Sequence, residues 1–231
     1  MRRRQFITLL GSAAVTLPIA ARAQQLPIVG FLHAGTADGY AKEVAGFRQG
    51  LRESGYVEGQ NVRMEYRWAN GHYEQLSDLA ADLVRKHVNI IAAAPFPAAL
   101  AAKNATQAIP IVFEMGADPV SFGLVASLNR PGGNITGVVN LSVGLVAKGI
   151  ELMHQLVPSA TSIALLVDRG LATSEAVVGD AKKAEAPLGI QIEVLRASAL
   201  TEIEAAFARA VELQARALVV GVGPVFNSRP C

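Results

Sequence analysis

The chain has 231 residues, of which 51% are hydrophobic and 17% are charged. This length allows one large domain or two modest ones with real cores, and the apolar content excludes an intrinsically disordered chain. The net charge of +2 arises at the N-terminus, because residues 1–23 hold four arginines and no acid, which leaves −2 for the remainder. No basic stripe with interleaved aromatics occurs, so we expect no nucleic-acid partner. The single cysteine, Cys231, excludes an internal disulfide.

The first 23 residues predict a cleaved export signal, a signal peptide. Three arginines at positions 2–4 precede an apolar stretch over 6–20, and Ala21-Arg22-Ala23 offers small residues where a signal peptidase reads them. We therefore expect cleavage after Ala23 and a periplasmic mature protein. Residues 3–7 resemble a twin-arginine signal, with general secretion as the alternative route. The apolar stretch is shorter than the ~20 residues that a membrane-spanning helix needs.

The segments after this leader alternate between strands and helices. Continuous apolar runs or strict alternation predict five strands, at residues 28–32, 61–68, 88–93, 110–113 and 135–139. Apolar residues at helical spacing predict four helices, at residues 41–54, 73–86, 98–107 and 122–128. Gly55 ends the first of these helices, and a strong turn signal over 130–134 ends the last.

From residue 140 the same alternation starts again. The same patterns predict three further helices and three further strands, with helices at 146–157, 173–188 and 201–214 and strands at 163–167, 190–195 and 217–220. Thr201 and Glu204 form a capping-box signature for the last helix. Repeated strand–helix units require parallel strands, so the predicted fold class is α/β with doubly wound parallel sheets. The second series stops after three strands and a polar tail, which predicts a C-terminally truncated chain.

Ligands of such sheets bind beyond the carboxyl ends of the strands, which makes the residues that follow strand ends the candidates. His33 ends the first strand, Phe96 lies in a stiff Pro-Phe-Pro loop, and Asp118 and Asp168 follow two later strands. For His33 the alternative is a packing or turn residue. For Asp118 it is an Asx turn, for Asp168 a solvated turn, and for Phe96 a cover over the helix behind it. The sequence leaves these alternatives open.

The motifs of several enzyme classes are absent from the sequence. It has no Gly-x-Gly-x-x-Gly run after a strand, no P-loop and no Gly-x-Ser-x-Gly elbow. Its four histidines fall at no metal-ligand spacing. We therefore predict no catalytic set, no metal and no cofactor. Polar strand-end loops and helix N-termini, which offer free N–H groups to a ligand carboxylate, favour binding over turnover.

Six segments carry a resemblance to a known family. They are Gly46-Phe47-Arg48-Gln49-Gly50-Leu51, the run from Gly55 to Val62, the run from Glu65 to Trp68, Pro110-Ile111-Val112-Phe113, Asp118-Pro119-Val120, and the long string from Leu124 to Gly137. Together they resemble the ABC transporter substrate-binding proteins of the tryptophan/tyrosine type, over nearly all of residues 26–229. The string that ends at Gly137 makes the resemblance specific, because so long a match is improbable by chance.

The resemblance implies a type I periplasmic binding fold, in which two α/β lobes joined by a hinge close on a small molecule. The lobes would be residues 24–139 and a partial second lobe, residues 140–231. Family members with known ligands bind aromatic or other amino acids, so an amino acid or an aromatic acid is the expected ligand. The implied ligand-binding residues lie in both lobes and are His33, Thr36, Phe96, Asp118, Asn140, Asp168, Thr173 and Ser174.

The resemblance also implies a partner, an ABC permease in the inner membrane, and a solute-binding protein of an uptake system without enzymatic activity. Two alternatives remain: a sensory ligand-binding protein with the same fold, and an α/β enzyme with no recognisable catalytic set. Two departures from the family concern the pocket. Relatives tend to carry Gly or Thr where this chain has Pro95-Phe96, and they usually have Asp-Pro where it has Gly223-Pro224.

Overall fold

A computed structural model describes residues 26–227 of the protein. The signal peptide predicted for residues 1–23 lies outside the described residues. The described chain forms two parallel sheets with helices packed against them. The predicted α/β class with two parallel sheets is therefore confirmed. The lobe boundary after residue 139 falls between the two sheets and stays a prediction.

The first sheet has five parallel strands in the order β2-β1-β3-β4-β5. They are β1 (Ile28–His33), β2 (Arg63–Trp68), β3 (Ile90–Ala94), β4 (Ile111–Met115) and β5 (Ile135–Val139). Leu32, Ile91 and Ile111 on its three central strands are fully buried. Side chains of this size each contribute about 1.5–3 kcal/mol when they leave water. Since all strands run in parallel, their carboxyl ends share one edge of the sheet.

The second sheet has three parallel strands in the order β7-β6-β8 within the described residues. They are β6 (Ser162–Asp168), β7 (Gln191–Ala197) and β8 (Ala217–Val220). The central strand β6 is buried from Ile163 to Asp168, as expected for a strand with neighbours on both sides. A parallel sheet requires crossover connections, which the helices between these strands supply.

Seven α-helices connect or flank the strands in the described part of the chain. They are α1 (Ala41–Glu53), α2 (Leu76–Arg85), α3 (Phe96–Ala105), α4 (Leu145–Leu156), α5 (Ser174–Lys182), α6 (Glu185–Leu188) and α7 (Leu200–Glu212). One cluster of buried apolar residues includes Leu32 and Ile111 of the first sheet and Leu165 of the second, together with Ile150 of α4. The two sheets therefore share a continuous apolar core. None of the helices in residues 26–227 combines the length and apolar character that crossing a membrane requires.

Two local predictions are wrong. Residues 122–128 form turns rather than a helix, because Gly123 adopts a positive φ of 67° and the N–H groups of Leu124 and Val125 both donate to the carbonyl of Pro119. The capping box assigned to Thr201 and Glu204 is also displaced. The last helix begins one residue earlier, and Glu202 accepts hydrogen bonds from the backbone N–H and the hydroxyl of Ser198, at 2.6 and 2.9 Å.

Candidate ligand-binding site

A cavity of about 330 Å³ lies where the carboxyl ends of the strands of both sheets meet. Its lining includes residues of both, among them His33, Phe96, Glu114 and Asn140 from the first sheet and its loops and Leu171, Thr173 and Gly223 from the second. The volume falls at the lower end of the range for small-molecule sites. Four of the eight predicted ligand-binding residues line this cavity: His33, Phe96, Asn140 and Thr173.

His33 is the last residue of β1 and is only 4% exposed. Its Nδ1 accepts a hydrogen bond from the N–H of Gly35 at 2.9 Å, which leaves the proton of the neutral imidazole on Nε2. The ring of Tyr40 packs against it, with 4.0 Å between ring centroids. Burial lowers the pKa of His33 to about 4. At neutral pH this side chain is therefore an uncharged hydrogen-bond donor on the cavity wall.

Phe96 is the first residue of α3 and is buried, whereas the sequence predicted a position in a loop. Its ring packs against Phe122 with 5.1 Å between centroids, so it covers apolar surface as well as lining the cavity. The same helix start offers little to an anion. Pro97 has no N–H, and the N–H groups of Ala98 and Ala99 both donate to the carbonyl of Pro95.

Asn140 follows β5 and connects three elements at the cavity. Its Nδ2 donates to Oε1 of Glu114 on β4 at 2.6 Å, and its Oδ1 accepts from the N–H of Ser142 at 3.0 Å. The Oδ1 contact assigns the amide orientation, because a backbone N–H requires an acceptor. Partial desolvation raises the pKa of the Glu114 carboxyl, and the Glu43 carboxylate adds to this effect.

Asp168 ends β6 and is fully buried. Its carboxylate accepts hydrogen bonds from the hydroxyl of Tyr73 at 2.5 Å and from the N–H of Gly170 at 3.0 Å. Burial raises the pKa of Asp168, and these hydrogen bonds oppose the rise. Ser174, also buried, donates to the Asp168 carbonyl at 2.6 Å. Asp168 and Ser174 thus lie behind the cavity wall, whereas their neighbour Thr173 lines the cavity.

The two remaining predicted ligand residues lie outside the cavity lining. Thr36 is in the loop after β1, where its Oγ1 accepts from the N–H of Gly39 at 3.1 Å. Asp118 is exposed, and its Oδ1 accepts from the N–H of Val120 at 3.0 Å, which is the Asx turn that the sequence offered as its alternative. A role for either residue in ligand binding stays a prediction.

The sequence analysis missed several lining residues, among them the ionisable side chains Tyr40, Glu43 and Glu114. A usable signal existed for Glu114, because it is a charged residue near the carboxyl end of an apolar strand, and the predicted strand ended two residues too early. Tyr40 and Glu43 flank the start of α1 and belong to no motif. Nothing in their spacing distinguishes them from an ordinary surface helix. Among residues 26–227, no group of three or more His, Cys, Asp or Glu side chains is arranged to hold a metal ion.

Comparison with known proteins places these features in a family. The family model described as "ABC transporter substrate binding protein" matches residues 29–222. The tyrosine-binding protein of Clostridioides difficile (strain R20291) is 36% identical over 126 residues, which are 54% of this chain and 36% of that protein.

Two solved structures share the fold. A conserved domain protein from Vibrio cholerae superposes with a TM-score of 0.76 at 27% identity, covering 84% of this chain and 64% of that one. The ABC domain from Streptococcus pneumoniae, solved in complex with L-Trp, gives a TM-score of 0.75 at 23% identity, covering 88% and 68%. This chain therefore spans less than two thirds of the length of the Clostridioides difficile protein and of the Vibrio cholerae protein.

The family match extends from β1 to just beyond β8 and includes both strand-end edges that form the cavity. The sequence similarity, the two parallel sheets and the position of the cavity all agree with the resemblance carried by residues 124–137. We conclude that this chain belongs to the ABC transporter substrate-binding protein family and has a type I periplasmic binding fold.

Proposed function

We propose that this protein is the ligand-binding component of an ABC-type uptake system and captures a small molecule, such as an amino acid, between its two lobes. The observation that carries the proposal is the cavity of about 330 Å³, whose walls come from strand ends of both sheets. Thr173 and Leu171 face the same cavity as His33 and Phe96, although the two pairs belong to different sheets.

The proposed mechanism is hinge closure. A ligand that contacts both sheets stabilises the arrangement in which they are close, because those contacts are lost when the sheets separate. A membrane permease would then recognise the closed form. The proposed setting is the periplasm, supported by the leader sequence and its cleavage motif after Ala23. In this role the protein binds its ligand without chemical turnover.

An amino acid is the first ligand class to test. A relative that is 36% identical is a tyrosine-binding protein, and a structure of the same fold holds L-Trp. The lining of the cavity combines apolar side chains, such as Phe96, Val143 and Leu171, with polar ones. In such a site the apolar side chains contact the apolar part of a small ligand, and the polar groups fix its orientation.

A thermal-shift screen of the purified protein tests the proposal. The panel holds the amino acids together with aromatic amines and aromatic acids. A ligand that binds only the folded state raises the Tm, by roughly 5–10 °C at about a hundredfold excess over Kd for a chain of this size. We expect at least one compound to do so. A sharp, cooperative melt that no compound of the panel shifts would refute the proposal.

A matched pair of variants connects the shift to the cavity. Thr173→Val removes a hydroxyl from the cavity wall at constant volume, and Thr136→Val makes the same change on the exposed face of β5. We expect the first to reduce the ligand-induced shift and the second to leave it unchanged. Equal effects of the two variants would place the binding site elsewhere.

A further inference from the structure

We propose that, before the leader is cleaved, its apolar stretch over residues 6–20 packs on an uncovered strip of the first sheet, and that the arginines at positions 2–4 then lie over the cavity. The strip consists of side chains on one face of β3, β4 and β5, namely Ile90, Ala92, Val112, Glu114, Thr136 and Val138. The inference rests on the predicted leader and goes beyond the proposed function, because it gives the leader a role in the precursor: it keeps the cavity covered until export.

The strand register defines this strip. On β4, Ile111 and Phe113 point into the apolar core shared by the two sheets, so Val112 between them points to the opposite face. Val112 pairs with Ala92 of β3 and with Thr136 of β5, which places these side chains on the same face.

The strip is apolar and open to solvent within the described residues. On the same face α1 covers β1 and β2, where Phe31 and Val44 belong to one buried cluster. Over β4 and β5, in contrast, Val112 and Val138 are 39% and 64% exposed. The distance from β3 to β5 is about 10 Å, which is the diameter of one helix. A single apolar segment therefore suffices to cover the strip.

The leader can reach the strip in one orientation. Residues 1–25 precede the described chain and β1 begins at Ile28, so the leader departs from the amino edge of the sheet. The central strand of the strip, β4, is about 10 Å from β1, and residues 21–27 span up to roughly 20 Å. The apolar stretch then runs toward the carboxyl edge. Its length is about 22 Å even as a helix, against about 16 Å for a strand such as β4, so the arginines that precede it pass that edge.

The charges at the carboxyl edge are complementary to these arginines. Glu114 lies on the strip, two residues after Val112, and lines the cavity together with Glu43. Within residues 26–227 neither carboxylate forms an ion pair, and no lysine or arginine lines the cavity. The leader holds four arginines and no acid, whereas the remainder of the chain has a net charge of −2. Charge-assisted hydrogen bonds from guanidinium groups to these carboxylates would hold the arginines over the cavity.

A second copy of the chain is the competing occupant of the strip. A stable dimer buries about 800 Å² on each partner, and the two exposed valines supply a small part of that area. The leader does not face this limit, because a segment of the same chain docks at an effective concentration in the mM range. The size of the strip therefore favours a tethered segment.

Cysteine labelling of the full-length precursor tests the docking. In a Cys231→Ser background, Thr136→Cys places a thiol on the strip, and Thr201→Cys places one on the exposed surface of α7. The rate of reaction with a maleimide is measured before and after signal peptidase removes the leader. The strip thiol should react at least about tenfold faster after cleavage, as expected for a leader that is docked about nine tenths of the time. The α7 thiol should react equally fast in both forms.

A matched pair of substitutions locates the contact. Val138→Lys places a charge on the strip, and Val211→Lys makes the same change on α7, where the valine is 77% exposed. In the precursor, Val138→Lys should raise the labelling rate of Thr136→Cys to that of the cleaved protein, because burial of an unpaired ammonium group is unfavourable. Val211→Lys should leave the rate low. Circular dichroism and the Tm confirm that both variants are folded.

Ser142→Cys tests the cover over the cavity. Ser142 lines the cavity and is partly exposed, so its thiol should also react at least about tenfold faster after cleavage. The triple change Arg2→Gln, Arg3→Gln and Arg4→Gln should restore fast labelling of Ser142→Cys in the precursor. Thr136→Cys should still react more slowly than in the cleaved protein, because the apolar stretch is unchanged.

The outcomes separate this inference from the proposed function, because none of these rates requires a ligand. If cleavage leaves the rate of Thr136→Cys unchanged, or if protection survives Val138→Lys, the leader does not dock on the strip and the inference is wrong. If the strip thiol is protected in both forms and light scattering shows a dimer, a second copy occupies the strip and the inference is again wrong. A protected strip with an unchanged rate for Ser142→Cys would refute the cover over the cavity.

Discussion

The hydroxyl of Tyr73 donates a 2.5 Å hydrogen bond to Oδ2 of Asp168, across 95 positions of the chain. Tyr73 precedes α2 beside the first sheet, and Asp168 ends the central strand of the second, so the bond connects the two sheets. Gly170 makes the approach possible, because a Cβ atom there would lie 2.7 Å from the Tyr73 ring. Burial and the Asp168 carboxylate raise the pKa of Tyr73, which therefore remains a donor at neutral pH.

Tyr73→Phe should destabilise the protein. The change removes one partner of a fully buried carboxylate, and such losses typically cost about 1–3 kcal/mol of the free energy of unfolding. Urea denaturation measures the difference. Tyr56→Phe is the matched control, because Tyr56 is exposed. We expect less than about 0.5 kcal/mol there. Equal effects of the two changes would show that the bond to Asp168 contributes nothing.

His33 should make the protein less stable at mildly acidic pH. Its pKa is lowered from 6.5 to about 4 in the folded state, so the unfolded chain binds more protons between these values. The contribution of neutral His33 to the free energy of unfolding is fully present above about pH 6.5 and is lost as the pH falls toward 4. Between about pH 7 and pH 5 the loss is about 2 kcal/mol. Urea denaturation of the protein and of His33→Asn at both pH values isolates this contribution, and parallel pH profiles would contradict the expectation.

Gly223→Ala should be strongly unfavourable. A Cβ at this position would lie 2.7 Å from Cβ of Asp168 and 3.0 Å from its Oδ2, and both residues are buried. Overpacking of this kind costs about 1–3 kcal/mol. Gly46→Ala provides the opposite case, because Gly46 lies inside α1 and nothing is within 4 Å of the added atom. Alanine is the better helix former, so we expect about 0.5–1 kcal/mol of stabilisation. Thermal unfolding should give a lower Tm for Gly223→Ala and a higher Tm for Gly46→Ala than for the unchanged protein.

The eight strands within residues 26–227 could be predicted from the sequence because each shows either a short apolar run or an alternation of apolar and polar residues. The connection after β4 could not. Phe122, Leu124 and Val125 have helical spacing, but Pro119 presents its carbonyl to two of the following N–H groups and Gly123 takes a positive φ. Local turn chemistry therefore determined this segment, and hydrophobic spacing alone does not describe it.

The candidate site could be predicted only in part. Strand-end geometry located His33 and Phe96, and the resemblance added Asn140 and Thr173. Glu43 could not be found in this way, because it lies on a helix and reaches the cavity only through the tertiary arrangement of α1 and β4. Ligand residues contributed by helices carry no strand-end signal, so a pattern of strands and loops does not identify them.

A second bond accompanies the one between Tyr73 and Asp168, since Nδ2 of Asn227 donates to the hydroxyl of Tyr40 at 3.2 Å. In the proposed hinge mechanism, the opening that admits a ligand would require both bonds to break. Capture then occurs only in the fraction of molecules that have opened, so the observed association rate should lie below the diffusion limit by that fraction. At high ligand concentration the rate should reach a plateau set by opening. In that mechanism the two hydrogen bonds would set the rate of ligand association separately from the affinity for the bound ligand.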